Sequence, residues 1–199
     1  MYTPSDVKDF VVELFSETDT VNLFYHSLAH TLAVADLVKT IVIAESQSIE
    51  ICELMEISAL LHDVGYLYTY HAHEEKGMEL AQKWMPSWGF STTEIEFVCS
   101  MIEATKLSQL PNNELQAIIS DVDLAYGVTS SFFERGPLLR REWVLCLNKL
   151  YSDLEWENLQ LNFLQNVKFS SAYGQAHFQA VVENNLKKQQ IRVNALEKE

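Results

Sequence analysis

The run Leu61-His62-Asp63-Val64-Gly65 constrains this chain most, because it ends an apolar helical stretch with two adjacent side chains of metal-ligand type that can point into one pocket. Such a pair acquires meaning only from partners, and residues of the right kind stand on both sides. Upstream lies Tyr25-His26-Ser27-Leu28-Ala29-His30-Thr31, and downstream lies Ser120-Asp121-Val122-Asp123-Leu124-Ala125. Five of the six histidines fall between Tyr25 and His73. Taken singly, two histidines four residues apart describe a solvated helix face, and His62-Asp63 the polar end of a helix before Gly65. Together they read as one dispersed metal site. If a helix already includes both His26 and His30, their side chains share a face one turn apart.

The 199 residues are enough to bury a sizeable core and few enough for one domain. Only 6 Gly and 4 Pro leave little turn chemistry for an all-β chain, so the spacing predicts an all-α fold. Apolar periodicity predicts helices over Pro4 to Glu17 with Ser5 as cap, from about Leu28 to Ala44, over Glu50 to His62, and over Glu74 to Trp84 before Pro86. Ser91 with Glu94 signals a capping box for a fifth helix to about Lys106, and Asn113 to Tyr126 forms a sixth. Beyond Gly127, helices over 140–153, 158–167 and 172–196 read as packing, the last ending in a frayed Glu197-Lys198-Glu199.

No stretch approaches the ~18 apolar residues of a membrane span, and Met1 to Thr20 lacks the pattern of a signal peptide. Cys52, Cys99 and Cys146 lie far apart in apolar patterns, as buried reduced thiols do. A cytoplasmic protein without a membrane partner is expected. The net charge of -14 repels duplex nucleic acid but admits a small phosphate ester, because a bound divalent cation dominates its local field. Nothing in the sequence sets the oligomeric state.

The order His30, His62-Asp63, Asp123 on a helical chain resembles the HD superfamily of metal-dependent phosphohydrolases, over roughly Tyr25 to Gly127. The segment from Tyr25 to Thr31 is also similar to Tyr-His-Asn-x-x-His-Ala of cyclic nucleotide phosphodiesterases, with Ser27 in place of Asn. The resemblance implies a single HD-type helical bundle, its core at about 25–127 and covering helices at about 130–198. It implies His30, His62, Asp63 and Asp123 as ligands of one divalent ion (Mn, Fe, Co, Ni, Zn or Mg), with Asp63 also accepting a proton from water and His26 as general acid. Asp123 is preferred to Asp121 because Asp123-Leu124-Ala125 lines up with the last ligand segment of related enzymes. Asp121 is then a residue that orients a histidine, or a helix-surface acid.

His73-Glu74-Glu75-Lys76-Gly77 is similar to the His-x-x-x-Gly step by which HD-GYP proteins hold a second metal. Where those proteins carry a His-His pair this chain has Thr105-Lys106, and no Gly-Tyr-Pro follows. One tightly held metal is expected, with His73 and Glu74 available for a weak second. An acidic helix start favoured by the helix dipole is the plain alternative for that cluster. Lys76, Lys106, Arg140 and Arg141 are the basic candidates for phosphate contact, each also readable as a solvated charge, and the four tryptophans read as core. The leading expectation is hydrolysis of a small phosphate ester, nucleotides included. The alternatives are a di-iron oxygenase on the same fold and a silent module that keeps its metal as a clamp.

Overall fold

The computed structural model describes residues 2–198, so Met1 and the last residue of the charged C-terminal end lie outside it. Among the described residues the regular structure is ten α-helices and one 3₁₀ turn, with no strand. Helix α1 (Pro4–Glu17) starts under Thr3 rather than Ser5. The Thr3 hydroxyl accepts the Asp6 N–H, the Asp6 carboxylate accepts the Thr3 N–H, and Pro4 occupies the first turn, where no N–H is needed. Its buried stripe is Val7, Val11 and Phe15, at the four-residue spacing that puts side chains on one face.

Helices α2 (Leu28–Ala44) and α3 (Ile49–Leu61) pack against each other most extensively and form the centre of the molecule. Every residue of α3 from Met55 to Leu61 is buried, the pattern of a helix covered all round. His62 and Asp63 follow directly. A 3₁₀ turn over Val64–Leu67 then leads to α4 (His73–Trp84), and this turn depends on Gly65. A Cβ there would lie 1.9 Å from the carbonyl oxygen of His73, so only glycine lets the turn cross the start of α4 and set His73 beside Asp63. Helix α5 (Thr92–Ala104) begins under the reciprocal Ser91–Glu94 box that the spacing predicts.

Helix α6 (Glu114–Val128) joins two apolar cores. Ile118, Ile119 and Val122 belong to the larger core with α1, α2, α3 and α5, while Ala125 and Val128 belong to a smaller one with Phe132, Leu164, Phe169 and Val182. The C-terminal half departs from the sequence reading in three places. Helix α7 spans Phe132–Leu147 with Pro137 inside it, beginning about two turns before the expected start. Buried Phe132 and a hydrogen bond from Arg135 to the Tyr126 carbonyl anchor the first turn, outweighing the roughly 3 kcal/mol that proline costs within a helix.

Asn148 then ends α7 in the left-handed conformation. Helix α8 (Asp153–Asn166) opens under a Ser152–Glu155 box, a signature present in the sequence that falls where the expected helix over 140–153 ends, before the one expected from 158. The expected final helix divides at Phe178 into α9 (Ala172–His177) and α10 (Gln179–Leu196). Among the described residues no helix is long and apolar enough to cross a membrane.

Candidate metal centre

Four side chains from three helical segments converge. The first turn of α2 supplies His30, the end of α3 supplies His62 and Asp63, and α6 supplies Asp123. His30 Nε2 lies 2.9 Å from Asp63 Oδ2, 3.1 Å from Asp123 Oδ1 and 3.2 Å from His62 Nε2. His62 Nε2 is 3.2 Å from Asp63 Oδ2 and 3.6 Å from Asp123 Oδ1. The ring of His62 is fixed from behind: its Nδ1 donates to the Ala59 carbonyl at 2.7 Å, which leaves the Nε2 lone pair facing the cluster. Both imidazoles are fully buried, and Asp63 nearly so, whereas the Asp123 side chain keeps 26% of its exposure. The centre therefore opens to solvent on its Asp123 side.

The contacts among these groups do not satisfy them. Asp63 Oδ2 and His30 Nδ1 are buried without a hydrogen-bond partner, although two imidazole nitrogens approach Asp63 Oδ2 within 3.2 Å. Lone pairs aimed at a shared point, rather than along N–H directions, are what a cation needs. Electrostatics agree. Burial opposes charge on His30 and His62, but Asp63 and Asp123 outweigh it and raise both imidazoles above their ordinary value. Burial likewise opposes ionisation of Asp63 and Asp123, and the histidines outweigh it and hold both carboxyls below theirs. The cluster thus draws in positive charge, and a divalent ion displaces the protons that otherwise supply it. His30, His62 and Asp123 can each offer one ligand atom within 4.8 Å of the others, and two nitrogens with two oxygens suit a transition-metal or magnesium-type ion.

Beside this centre stands His26, and here the geometry differs from a shared helix face. Helix α2 starts only at Leu28, so His26 lies in the preceding turn, with its ring centre 6.0 Å from that of His30 and nearly perpendicular to it. Its Nδ1 is paired with Oε1 of Glu142 on α7. Glu142 is fully buried and also accepts the backbone N–H groups of Tyr25 at 2.8 Å and His26 at 3.2 Å, and the Tyr70 hydroxyl at 2.7 Å. Burial opposes charge on Glu142, but His26 and these other donors outweigh it and hold the carboxyl below its ordinary value. The Tyr66 ring stacks between His26 at 4.0 Å and His73 at 3.7 Å, fixing the outer faces of both imidazoles. A further tyrosine, Tyr126, packs edge-on to His30 at 4.5 Å.

The remaining candidates lie at graded distances. His73 Nε2 is 3.7 Å from Asp63 Oδ1 and its Nδ1 is 3.4 Å from Glu74, so the pair adjoins the centre without entering it. Burial pulls His73 down to about 4, leaving a neutral imidazole at neutral pH. Asp121 does not orient a histidine and is not on the surface. It is buried and accepts the N–H groups of Ser170 and Ser171 and the Ser171 hydroxyl, tying the strand-like segment before α9 to α6. Lys76 pairs with Glu79, Lys106 with Glu75 and Arg140 with Asp153, while Arg141 lies over the Phe24 ring. Trp84 and Trp88 pack with Phe10, as core aromatics do.

Residues 27–125 match the HD-domain family. The crystal structure of a predicted HD superfamily hydrolase from an uncultured Thermotogales bacterium shares the fold, with a TM-score of 0.55 at 20% identity, covering 81% of this chain and 88% of that one. No curated protein is significantly similar to the chain. The chain is an HD-domain protein with an all-α HD-type fold, and its His/Asp cluster is suited to a divalent metal.

Proposed function

We propose that this protein is a cytoplasmic metal-dependent phosphohydrolase that cleaves a small phosphate ester, nucleotides included, with His30, His62, Asp63 and Asp123 holding one divalent ion. The observation that carries the reading is the pairing of an unsatisfied four-donor centre with a histidine anchored by a buried glutamate 6.0 Å (ring to ring) from His30. When bound, the cation supplies Lewis acidity, acidifying water and polarising a phosphoryl oxygen. Asp63 has Oδ2 turned to the imidazoles and Oδ1 on the His73 side, and Oδ1 is the oxygen free to take the attacking water's proton. Glu142 fixes the proton of His26 on Nδ1 and orients the ring, so that Nε2 delivers a proton to the leaving oxygen.

Apart from His26, which is taken by Glu142, His73 is the one further imidazole beside this cluster among the described residues, which supports one strong metal and a weak second at His73 and Glu74. A di-iron oxygenase needs more nitrogen donors than that. The net charge of -14 favours a small substrate over a polyanion. The neighbouring structure being that of a predicted hydrolase is in keeping with this class. The test is phosphate release from a panel of phosphomonoesters, phosphodiesters and nucleotides by protein loaded in turn with Mn, Fe, Co, Ni, Zn and Mg. Metal-dependent turnover of at least one compound is expected. Tight metal binding with a raised melting temperature but no turnover across the panel would replace this reading with the silent module.

A further inference from the structure

Helix α7 brings a second charged residue to the centre. Arg135 stands seven residues before Glu142, two helical turns along the same face. Its guanidinium carbon lies 3.4 Å from the centre of the Tyr126 ring, which itself packs edge-on to His30 with ring centres 4.5 Å apart. One N–H group donates to the Tyr126 carbonyl. Among the described residues no carboxylate pairs with Arg135, unlike Lys76, Lys106 and Arg140, and a guanidinium has five N–H donors to place. A half-buried cation with open donors is thus held against the ring that packs on His30. Tyr126 is one turn past Asp123 on α6, the donor on the open side of the centre.

The geometry points to Arg135 as the anchor for a second anionic group of the substrate, beyond the phosphoryl group that is cleaved. This rests on the phosphohydrolase reading and narrows it to esters whose remainder carries a phosphate or carboxylate, nucleoside diphosphates among them, over simple monoesters. The scissile group is not assigned to Arg135, because the guanidinium packs on Tyr126 rather than on any of the four cluster side chains, and among the described residues neither Asp63 nor Asp123 pairs with it. A second anion near Asp63, Asp123 and Glu142 needs a local cation to offset their repulsion, and a guanidinium suits phosphate and carboxylate geometry.

The test compares binding of propylphosphonate and propane-1,3-bisphosphonate to the manganese-loaded full chain by calorimetry. The wild type should bind the bisphosphonate at least roughly tenfold more tightly, the scale of one added charge-assisted contact. Arg135→Gln should erase that preference at unchanged metal content, and Arg135→Lys should restore part of it as a point charge. Equal binding of the two compounds by the wild type, or a preference retained in Arg135→Gln, overturns the assignment while leaving the phosphohydrolase reading intact. If propylphosphonate does not bind at all, the phosphoryl site itself is refuted, and this inference falls with it.

Discussion

Helices α2, α3 and α6 contribute to the centre through rare residue types at characteristic spacings, whereas α7 contributes through two ordinary charged residues, Glu142 and Arg135, that become unusual only by where the fold puts them. Glu142 meets His26 across 116 positions of chain, and nothing near it in sequence distinguishes it from the exposed glutamates around it. The contrast separates two tasks. Metal donors cluster because a cation requires particular atoms close together, so their types betray them. Orienting groups need only a carboxylate or guanidinium in the right place, and the fold supplies the place. Helix α6 shows both within one turn: Asp123 faces the donors while Asp121, two residues earlier and on another side of the helix, clamps Ser170 and Ser171.

The largest effect is expected at the donors. Replacing His30, His62, Asp63 or Asp123 with Ala should cost metal content and abolish metal-dependent stabilisation. In the wild type that stabilisation reaches about 4 kcal/mol with metal at a thousandfold over its Kd. Metal analysis and melting curves with and without chelator measure both. Equal retention in all four variants would dissolve the centre and with it the contrast between the two regions.

Next comes the α7 contribution. His26→Ala should keep its metal yet lose roughly 100-fold or more in turnover, the usual scale for general acid-base catalysis. The loss should shrink on a nitrophenyl ester, whose leaving oxygen needs little protonation. Glu142→Gln should follow the same pattern, because it leaves His26 without its anchoring anion. Full turnover on a poor-leaving-group substrate by both variants would reduce α7 to packing. Glu142 also gives a pH signature. Its folded pKa lies below the ordinary 4.5, so its carboxylate contributes its full stability above that pH and loses it as pH falls through the lower folded value. Melting curves between pH 3 and 6 should therefore show a steeper acid decline in the wild type than in Glu142→Gln.

Asp121→Asn tests α6 from its other side. Hydrogen bonds to a charged group are each worth roughly 1.5–3 kcal/mol, so a loss of about 2 kcal/mol of stability is expected with metal content unchanged. A greater metal loss here than in Asp123→Asn would exchange the two roles.

The first six helices were legible because each combines an apolar stripe with a clear start or stop, as at Ser91–Glu94 and before Pro86. Legibility fell where tertiary contacts overrode local signals. Pro137 reads as a helix breaker, yet buried Phe132 and the Arg135 bond carry α7 through it, and Phe178, packed against Phe169 and Tyr173, divides one expected helix in two. The four donors that the structure brings together are those the motif order indicates. Their neighbours Glu142, Tyr66, Tyr126 and Arg135 have no local signature, and only the four-residue spacing of Tyr66 and Tyr70 just past Gly65 hints at an aromatic wall.

The smallest effects should belong to the basic residues that sequence alone puts forward for phosphate contact. Lys76, Lys106 and Arg140 each meet a more exposed carboxylate, Glu79, Glu75 and Asp153 respectively. Surface pairs of this kind contribute about 0–1 kcal/mol, so Ala at any of the three should shift stability within that range. A carboxylate partner also neutralises the charge that a substrate would seek. Arg140 in addition lines a separate cavity of about 480 Å³ with Trp156, Gln160 and Arg192, away from the four donors. KM for the best ester in the panel should therefore change less than about twofold in each variant, a factor worth under 0.5 kcal/mol. Lys106 is the sharpest case, because its partner Glu75 adjoins Glu74 and His73 at the rim of the centre. A tenfold rise in KM in Lys106→Ala, with kcat and metal content unchanged, would show that the α4 side of the rim binds substrate and that α7 shares that task.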